Sequence, residues 1–430
     1  MARPLTWTNW AANQTASPIA IEQPRTEEEL AAVVRFARHN GQTVKAVGTG
    51  HSFTDAACTT GRLVRLDQYA GIVSIDAAKA QVTVQAGMAL TALNDLLDAR
   101  GLAMANLGDI AYQTVSGAIA TSTHGTGVTL GGLATTVIGM RVVDGEGTVR
   151  ELDEQALSVA RVGVGALGIV STVTLQVVPS FNLRVVNEPM RLDAVLENLD
   201  AHVADNDHFE FFWVPHTGWA LTKSNNRTTD SLSPRPRWRE IRDDYLVENH
   251  AFGAVCRVGR RLPHLTPRLA KALPSSGRVS FVDKSYRVFT SPRLVKFTEM
   301  EYSIPSEACT EALNRVRAFV KAEGIQLSFP VEVRFTAGDD IALSTANGSA
   351  PRCYIAVHMY QGMDNTKYFR GVEAIMNDYA GRPHWGKMHF QTATALSARY
   401  PRWAEFHSLR DELDPDRVFA NAYTDRVFGR

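Results

Sequence analysis

The 430-residue sequence predicts an α+β fold of more than one domain, and three observations carry that expectation. Up to about residue 180 short strand-like and helix-like segments alternate, as two small lobes of βαβ character would require. No G-x-G-x-x-G opens a helix after a first strand, so a dinucleotide-binding Rossmann unit is disfavoured. The length exceeds what one small core fills and asks for two domains, or one large domain with an insertion.

The elements follow in order. "TEEELAAVVRFARHNGQ", residues 26–42, reads as a helix with Thr26 as N-cap, Glu29 three residues on, and Gly41 as stop signal. "TVKAVGTG" reads as a strand entering a glycine turn, "LVRLDQYAGIVSID" and "QVTVQAGM" as strand segments of period two, and "TALNDLLDARG" as a helix closed by Gly101. In the second region "HFEFFWVPHTGWALTKSNNRT", 208–228, alternates large apolar and polar residues like a strand over a cavity, ending in a polar turn. The proline- and charge-rich stretch 229–242 reads as an exposed loop and the best candidate for disorder. "CTEALNRVRAFVKAEG" is an amphipathic helix stopped by Gly324, and "FPVEVRFT" follows as a strand.

Composition excludes several functions. Lys plus Arg and Asp plus Glu both number 45, so no polyanion-binding stripe is announced and nucleic acid is not an expected partner. Cys58, Cys256, Cys309 and Cys353 form no C-x-x-C pair, which argues against a zinc site or a disulfide scaffold and for a reducing cytoplasm. The start, "MARPLTWTNWAANQT", has no apolar core of a secretory signal. The longest apolar stretch, "ALGIVSTVTLQVV", falls short of an integral membrane segment, although peripheral membrane contact stays open.

Chemistry concentrates in five places. In "AVGTGHSFTDAA", 46–57, His51 stands at the tip of a glycine loop. Two more small-residue runs, "TVSGAIATSTHGTG" at 114–127 and "GVGALGIVSTVTLQVVP" at 163–179, let backbone approach a ligand closely, and their N–H groups suit a pyrophosphate. Glu332 and Arg334, two residues apart on a strand, project from one face, as either a salt bridge or a binder of a polyhydroxylated ring. "PHWGKMHF" brings His384, Lys387 and His389 within six residues, but no carboxylate stands nearby in sequence and the spacing is not a helical zinc motif, so no metal is expected.

"VGTGHSFTDAACTTG", "GAIATSTHGTG", "GALGIVSTVTLQVVP" and "RPHWGKMHF" together resemble the vanillyl-alcohol-oxidase-type flavoproteins, in their aldonolactone oxidoreductase branch. The resemblance covers nearly the whole chain. It implies a two-lobed FAD-binding domain at 1–178, a cap or substrate domain with a large antiparallel sheet flanked by helices at 179–383, and a segment 384–430 returning to the FAD domain. It implies FAD bound covalently through His51, a sensible bond because a neutral imidazole is nucleophilic near neutral pH. The cofactor set it implies is Val47, Gly48, Thr49, Gly50, His51 and Ser52; Gly108 and Asp109; Ser116, Gly117, Ala120, Thr121, Thr123, His124 and Gly125; Gly168, Ile169 and Val170; and His384. Gly108 falls where the family gates oxygen, and a glycine leaves that approach open.

The same resemblance places Glu332 and Arg334 at the substrate and Lys387 beside the flavin, where a fixed cation stabilises the charge of reduction. The implied activity is oxidation of a sugar-acid lactone, such as L-gulono-1,4-lactone, at its C2 hydroxyl, with hydride passing to flavin N5. The electrons then pass to O2 or to a redox acceptor such as cytochrome c. An alditol oxidase acting on an open-chain polyol is the rival enzyme, and a non-catalytic flavin-binding redox partner is the rival of another class.

Overall fold

The computed structural model describes residues 5–240, 250–272, 277–291 and 293–430. Strands Ala20–Glu22, Arg62–Arg65 and Val44–Val47 form a parallel sheet in that spatial order. The helix Glu27–His39 crosses between its members: Thr26 caps it by accepting from Glu29 N–H, and Glu29 accepts from Arg25 N–H. Gly41 follows at φ +61°, the left-handed turn that the stop signal requires. Leu30, Ala31, Val34 and Ala37 bury one stripe of this helix against Val44, Val64, Val143 and Ile169.

The second lobe departs from the expected βαβ pattern. Its five strands, in the order Val149–Glu151, Val137–Val143, Ile169–Gln176, Gln81–Gln85 and Ile72–Asp76, are antiparallel throughout. Only four residues separate Ile72–Asp76 from Gln81–Gln85, too few for the crossover that a parallel pair needs.

From residue 182 to 383 an eight-stranded antiparallel sheet dominates, in the order Val279–Lys284, Asn182–Arg191, Trp219–Thr228, His208–Trp213, Val331–Thr336, Arg352–Tyr360, Phe297–Pro305 and Arg382–Pro383. The stretch read as one strand over 208–228 is a hairpin, because Val214 to Gly218 make a turn closed by Val214 N–H to Trp219 O at 3.0 Å. Within 229–240 the chain is less loop-like than expected: Ser233 bridges to Val282, and Arg237–Glu240 is a helical turn; residues 241 and 242 lie outside the described residues. The helices Cys309–Ala322 and Thr366–Asn377 cover one face of the sheet, packing Leu313, Val316, Phe369 and Val372 on Phe211, Met300, Val333 and Ile355.

The C-terminal segment runs back across the first lobe. Val44 N–H donates to Val418 O at 2.8 Å, and the Asn421 amide donates to the carbonyls of Asp55, Ala56 and Cys58. Among the described residues no helix is long and apolar enough to cross a membrane.

Candidate active site and cofactor groove

The strand Val44–Val47 delivers the chain into the loop 48–52, whose five successive N–H groups donate to no protein acceptor among the described residues. Unsatisfied amides in a row form a concave anion cradle. The loop lines a groove walled by Thr114, Ser116, Gly117, Ala120 and Thr121 and by Gly163, Val164, Gly165 and residues 167–170. Close packing makes two glycines obligatory here. A Cβ on Gly48 would lie 2.3 Å from Thr114 Oγ1, and Gly168, at φ +130°, would place one 2.7 Å from the Val143 carbonyl oxygen. Long, lined with amides and almost free of charged side chains, this groove fits FAD. Lys45, buried at its floor, donates to the carbonyls of Gly165 (2.9 Å) and Phe419 (3.1 Å), and burial brings its ammonium down to about 8.

His51 stands at the groove's inner end, stacked between Trp10 and Tyr112 at ring distances of 5.6 and 6.5 Å, with Nδ1 3.0 Å from Thr49 Oγ1. Burial, and secondarily the charge of Lys387, lower its pKa to about 4, so the imidazole is neutral at neutral pH. Lys387 belongs to the segment that joins both halves of the molecule: Phe53 N–H donates to Gly386 O, while His384 and Met388 donate their N–H groups to the carbonyls of Glu301 and Glu299.

The face of the eight-stranded sheet away from its helices is lined with charge. Register places Glu332, Ala356 and Glu301 in one row, Arg334, Tyr354 and Ser303 in the next, and Lys223 opposite Glu210. Arg334, 7% exposed, binds Glu210 through Nε at 2.7 Å and Asp109 through Nη2. Glu210 is held in turn by Lys223 at 2.7 Å, Asp109 by Arg293 at 2.6 Å and Glu299 by Lys387 at 2.5 Å. Burial opposes charge on Lys387, but Glu299 and Glu301 outweigh it and keep the ammonium above its usual value. Burial likewise opposes ionisation of Glu299, yet Lys387 and His358 bring it down to about 2. Glu332 Oε1 lies 2.5 Å from Arg334 Nη2 but out of line with its N–H, and accepts no hydrogen bond.

The fold divides the sequence-predicted set in two. Val47, Gly48, Thr49, Gly50, His51, Ser52, Ser116, Gly117, Ala120, Thr121, Gly168, Ile169 and Val170 line the groove. Asp109, His124 and His384 instead join the charged face: Asp109 holds Arg334, and His124 turns Nε2 to Glu301 at 3.4 Å with its ring on Tyr354. Gly108 packs on the His124 carbonyl and the Thr123 methyl, and Gly125 on Leu107 and Asn106. Glu332, Arg334 and Lys387 come together on one face, whereas His389 is separated from them, bound to Tyr423 through Nε2 at 3.0 Å. Want of a nearby carboxylate was the reason for discounting a metal at His384, and that reason falls, since Glu301, His124 and His384 offer ligand atoms within 4.8 Å of one another. Sequence reasoning passed over Lys45, Glu210, Lys223, Arg293, Glu299 and Glu301. A signal existed for the last two: "FTEMEYSIP" carries the same i, i+2 charged spacing as Glu332 and Arg334.

A groove of backbone amides meeting a charged sheet face defines the class, an FAD-binding oxidoreductase. Residues 18–153 match the FAD binding domain family, and residues 173–427, more than half the chain, match the family described as D-arabinono-1,4-lactone oxidase. The chain is 46% identical to the L-gulono-1,4-lactone dehydrogenase of Mycobacterium tuberculosis over 98% of this chain and 99% of that protein. It is 35% identical to the L-gulonolactone oxidase of Bos taurus over 98% and 97%, while an alditol oxidase of a Streptomyces species stands further off at 29% over 97% of each. A solvent-stable cholesterol oxidase shares the fold at a TM-score of 0.85 and 20% identity, covering 99% of this chain and 98% of that one. The chain therefore belongs to the D-arabinono-1,4-lactone oxidase family of FAD-dependent aldonolactone oxidases and dehydrogenases.

Proposed function

We propose that this enzyme oxidises L-gulono-1,4-lactone, or a closely related aldonolactone, at its C2 hydroxyl, and that its FAD is attached covalently to His51. The observation that carries the reading is the convergence of Glu332, Arg334 and Lys387 on one buried face that the segment 384–388 ties to the His51 loop. FAD, held by the amides of the loop 48–52 and by the groove walls, would supply a two-electron acceptor for the C2 hydrogen. Arg334 presents guanidinium N–H groups to the ring oxygens of the lactone, and Glu332 completes the hydrogen-bonded seat. Lys387, held charged by Glu299, sets a cation beside His51 where negative charge develops. The C2 hydroxyl proton leaves to a base or to water, and the 2-keto product enolises to ascorbate. The neutral imidazole of His51, wedged between Trp10 and Tyr112, supports its role as the nucleophile in flavin attachment.

The domain division near 178 and at 383 is supported by the sheets, since the strands of the eight-stranded sheet all lie between 182 and 383, while Val178–Pro179 still pairs back on Leu102–Ala103. Reoxidation by O2 or by a redox protein such as cytochrome c completes the cycle. Unbonded thiols at Cys309 and Cys353 support a reducing, cytoplasmic setting. The test is anaerobic mixing: L-gulono-1,4-lactone bleaches the flavin rapidly and xylitol slowly, whereas the reverse order would assign an alditol oxidase, and no bleaching by either a non-catalytic flavoprotein. Acid-precipitated protein stays yellow and His51→Ala releases its flavin; free flavin in the parent's supernatant would overturn the attachment.

A further inference from the structure

Five carboxylates, Asp109, Glu210, Glu299, Glu301 and Glu332, crowd the charged sheet face, against four permanent cations, Lys223, Arg293, Arg334 and Lys387. Four of the carboxylates have a committed partner: Glu210 takes Lys223 and Arg334 Nε, Asp109 takes Arg293 and Arg334 Nη2, Glu299 takes Lys387, and Glu301 takes His124. Glu332 is the fifth. Arg334 Nη2 comes within 2.5 Å of its Oε1, but the guanidinium aims its N–H groups at Glu210 and Asp109, and Oε1 is a buried oxygen without a hydrogen-bond donor. Its oxygens lie within 4.8 Å of carboxylate oxygens of Asp109 and Glu210 on one side and of Glu299, with His358, on the other. Like charges at that separation in a dry site cannot all ionise. A buried oxygen with no donor is tolerable if it carries, or lies beside, a proton of its own.

We propose that Glu210 and Asp109 are positioning residues that engage the N–H groups of Arg334, so that the adjacent Glu332 receives none of them and stays a neutral carboxyl group, which donates a hydrogen bond to the lactone carbonyl oxygen of the substrate. Burial, with Arg334 opposing and Asp109, Glu210 and Glu299 adding, holds Glu332 well above the usual carboxylate range. Burial opposes charge on Arg334 too, but its acidic neighbours outweigh it and keep the guanidinium fully charged. A neutral donor beside a cation matches an ester carbonyl, which only accepts; an ionised Glu332 would instead repel that oxygen and favour the hydroxyl groups of an open-chain polyol. The assignment rests on the reading that this face seats the lactone.

Infrared difference spectra of the resting holoenzyme test it without turnover. At pH 7 the parent shows a carboxylic-acid C=O band that Glu332→Gln lacks. In Glu210→Gln, and independently in Asp109→Asn, an N–H of Arg334 is freed to point at the neighbouring Glu332 oxygen, and the pH at which the band disappears falls by at least about one unit, a tenfold change in proton affinity. In the same variants KM for the lactone rises about tenfold while kcat changes less. Glu332→Gln, which keeps a donor, loses about tenfold less in kcat/KM than Glu332→Ala. Absence of the band at pH 7, or Glu332→Gln as damaging as Glu332→Ala, overturns the proton assignment. A band that titrates unchanged in both Glu210→Gln and Asp109→Asn overturns their role. If the band is present but lactone never bleaches the flavin, the functional reading fails and the proton assignment stands; bleaching without the band overturns this inference alone.

Discussion

The cofactor groove presents backbone amides and small side chains, whereas the sheet face beyond His51 presents charged side chains, with Arg334 and four glutamates buried. Both regions bind through polar groups, but they hold those groups in place differently. In the groove, geometry comes from glycines, and the one deeply buried charge, Lys45, is held by backbone carbonyls. On the sheet face Arg334 and the glutamates are desolvated, so each is stable only while its partner stays. The groove should therefore fail sterically and locally, and the sheet face electrostatically and collectively.

The largest expected effect tests the collective half. Arg334→Met leaves Asp109 and Glu210 without their shared guanidinium, so lactone-driven flavin reduction falls about 10²-fold or more and stability falls by about 3–5 kcal/mol. Stopped-flow reduction and thermal unfolding measure the two losses. The flavin itself stays bound; its release would erase the distinction between the regions.

Gly168→Ala strikes the groove. A side chain at φ +130°, directed at the Val143 carbonyl, costs about 1–3 kcal/mol, and flavin content per protein drops while the reduction rate per bound flavin is kept. Equal loss of both would show that the two regions share one packing unit.

Acidification acts on the junction. Burial lowers His51 to about 4 and His384 to about 3 against an unfolded value near 6.5, so the unfolded chain binds protons first. The stabilisation is complete above 6.5 and is lost as pH falls through the folded values, about 2 kcal/mol from His384 between pH 7 and 5. Glu299, lowered to about 2, adds a further loss between about 4.5 and 2. Melting temperature against pH should decline through these windows, and His384→Gln should flatten the first.

Gly108→Ala has the smallest effect. The added methyl meets the His124 carbonyl at 3.1 Å and the Thr123 methyl at 3.3 Å, which shifts the wall between groove and sheet face by tenths of an ångström. Peroxide formation with lactone under air slows severalfold, with little change in anaerobic reduction. An unchanged rate would remove Gly108 from the oxygen path.

The groove was legible in the sequence because its devices are local. The loop at 48–52 and the runs at 114–127 and 163–179 each state their geometry within one short stretch, as the Thr26 cap and the Gly41 and Gly324 stops do for their helices. The second lobe was misread because strand propensity does not specify a partner, and a four-residue connection decided for antiparallel pairing. The hairpin at 208–228 was missed for a similar reason: its turn, "VPHTG", carries Pro and Gly inside an otherwise continuous alternation.

By itself the sequence determined which strand faces carry charge, since period two puts Glu332 with Arg334 and Glu299 with Glu301 whatever the partners are. It also determined where the backbone turns sharply enough to bare its amides around His51. Only the tertiary structure decided which charges meet. Asp109 and Arg334 are 225 residues apart, and Lys387 and Glu299 are 88 apart, each pair brought together by the tertiary fold. The physical reason is that burial makes each charge depend on its neighbours in space, and no spacing along the chain encodes the distance between two carboxylates on different strands.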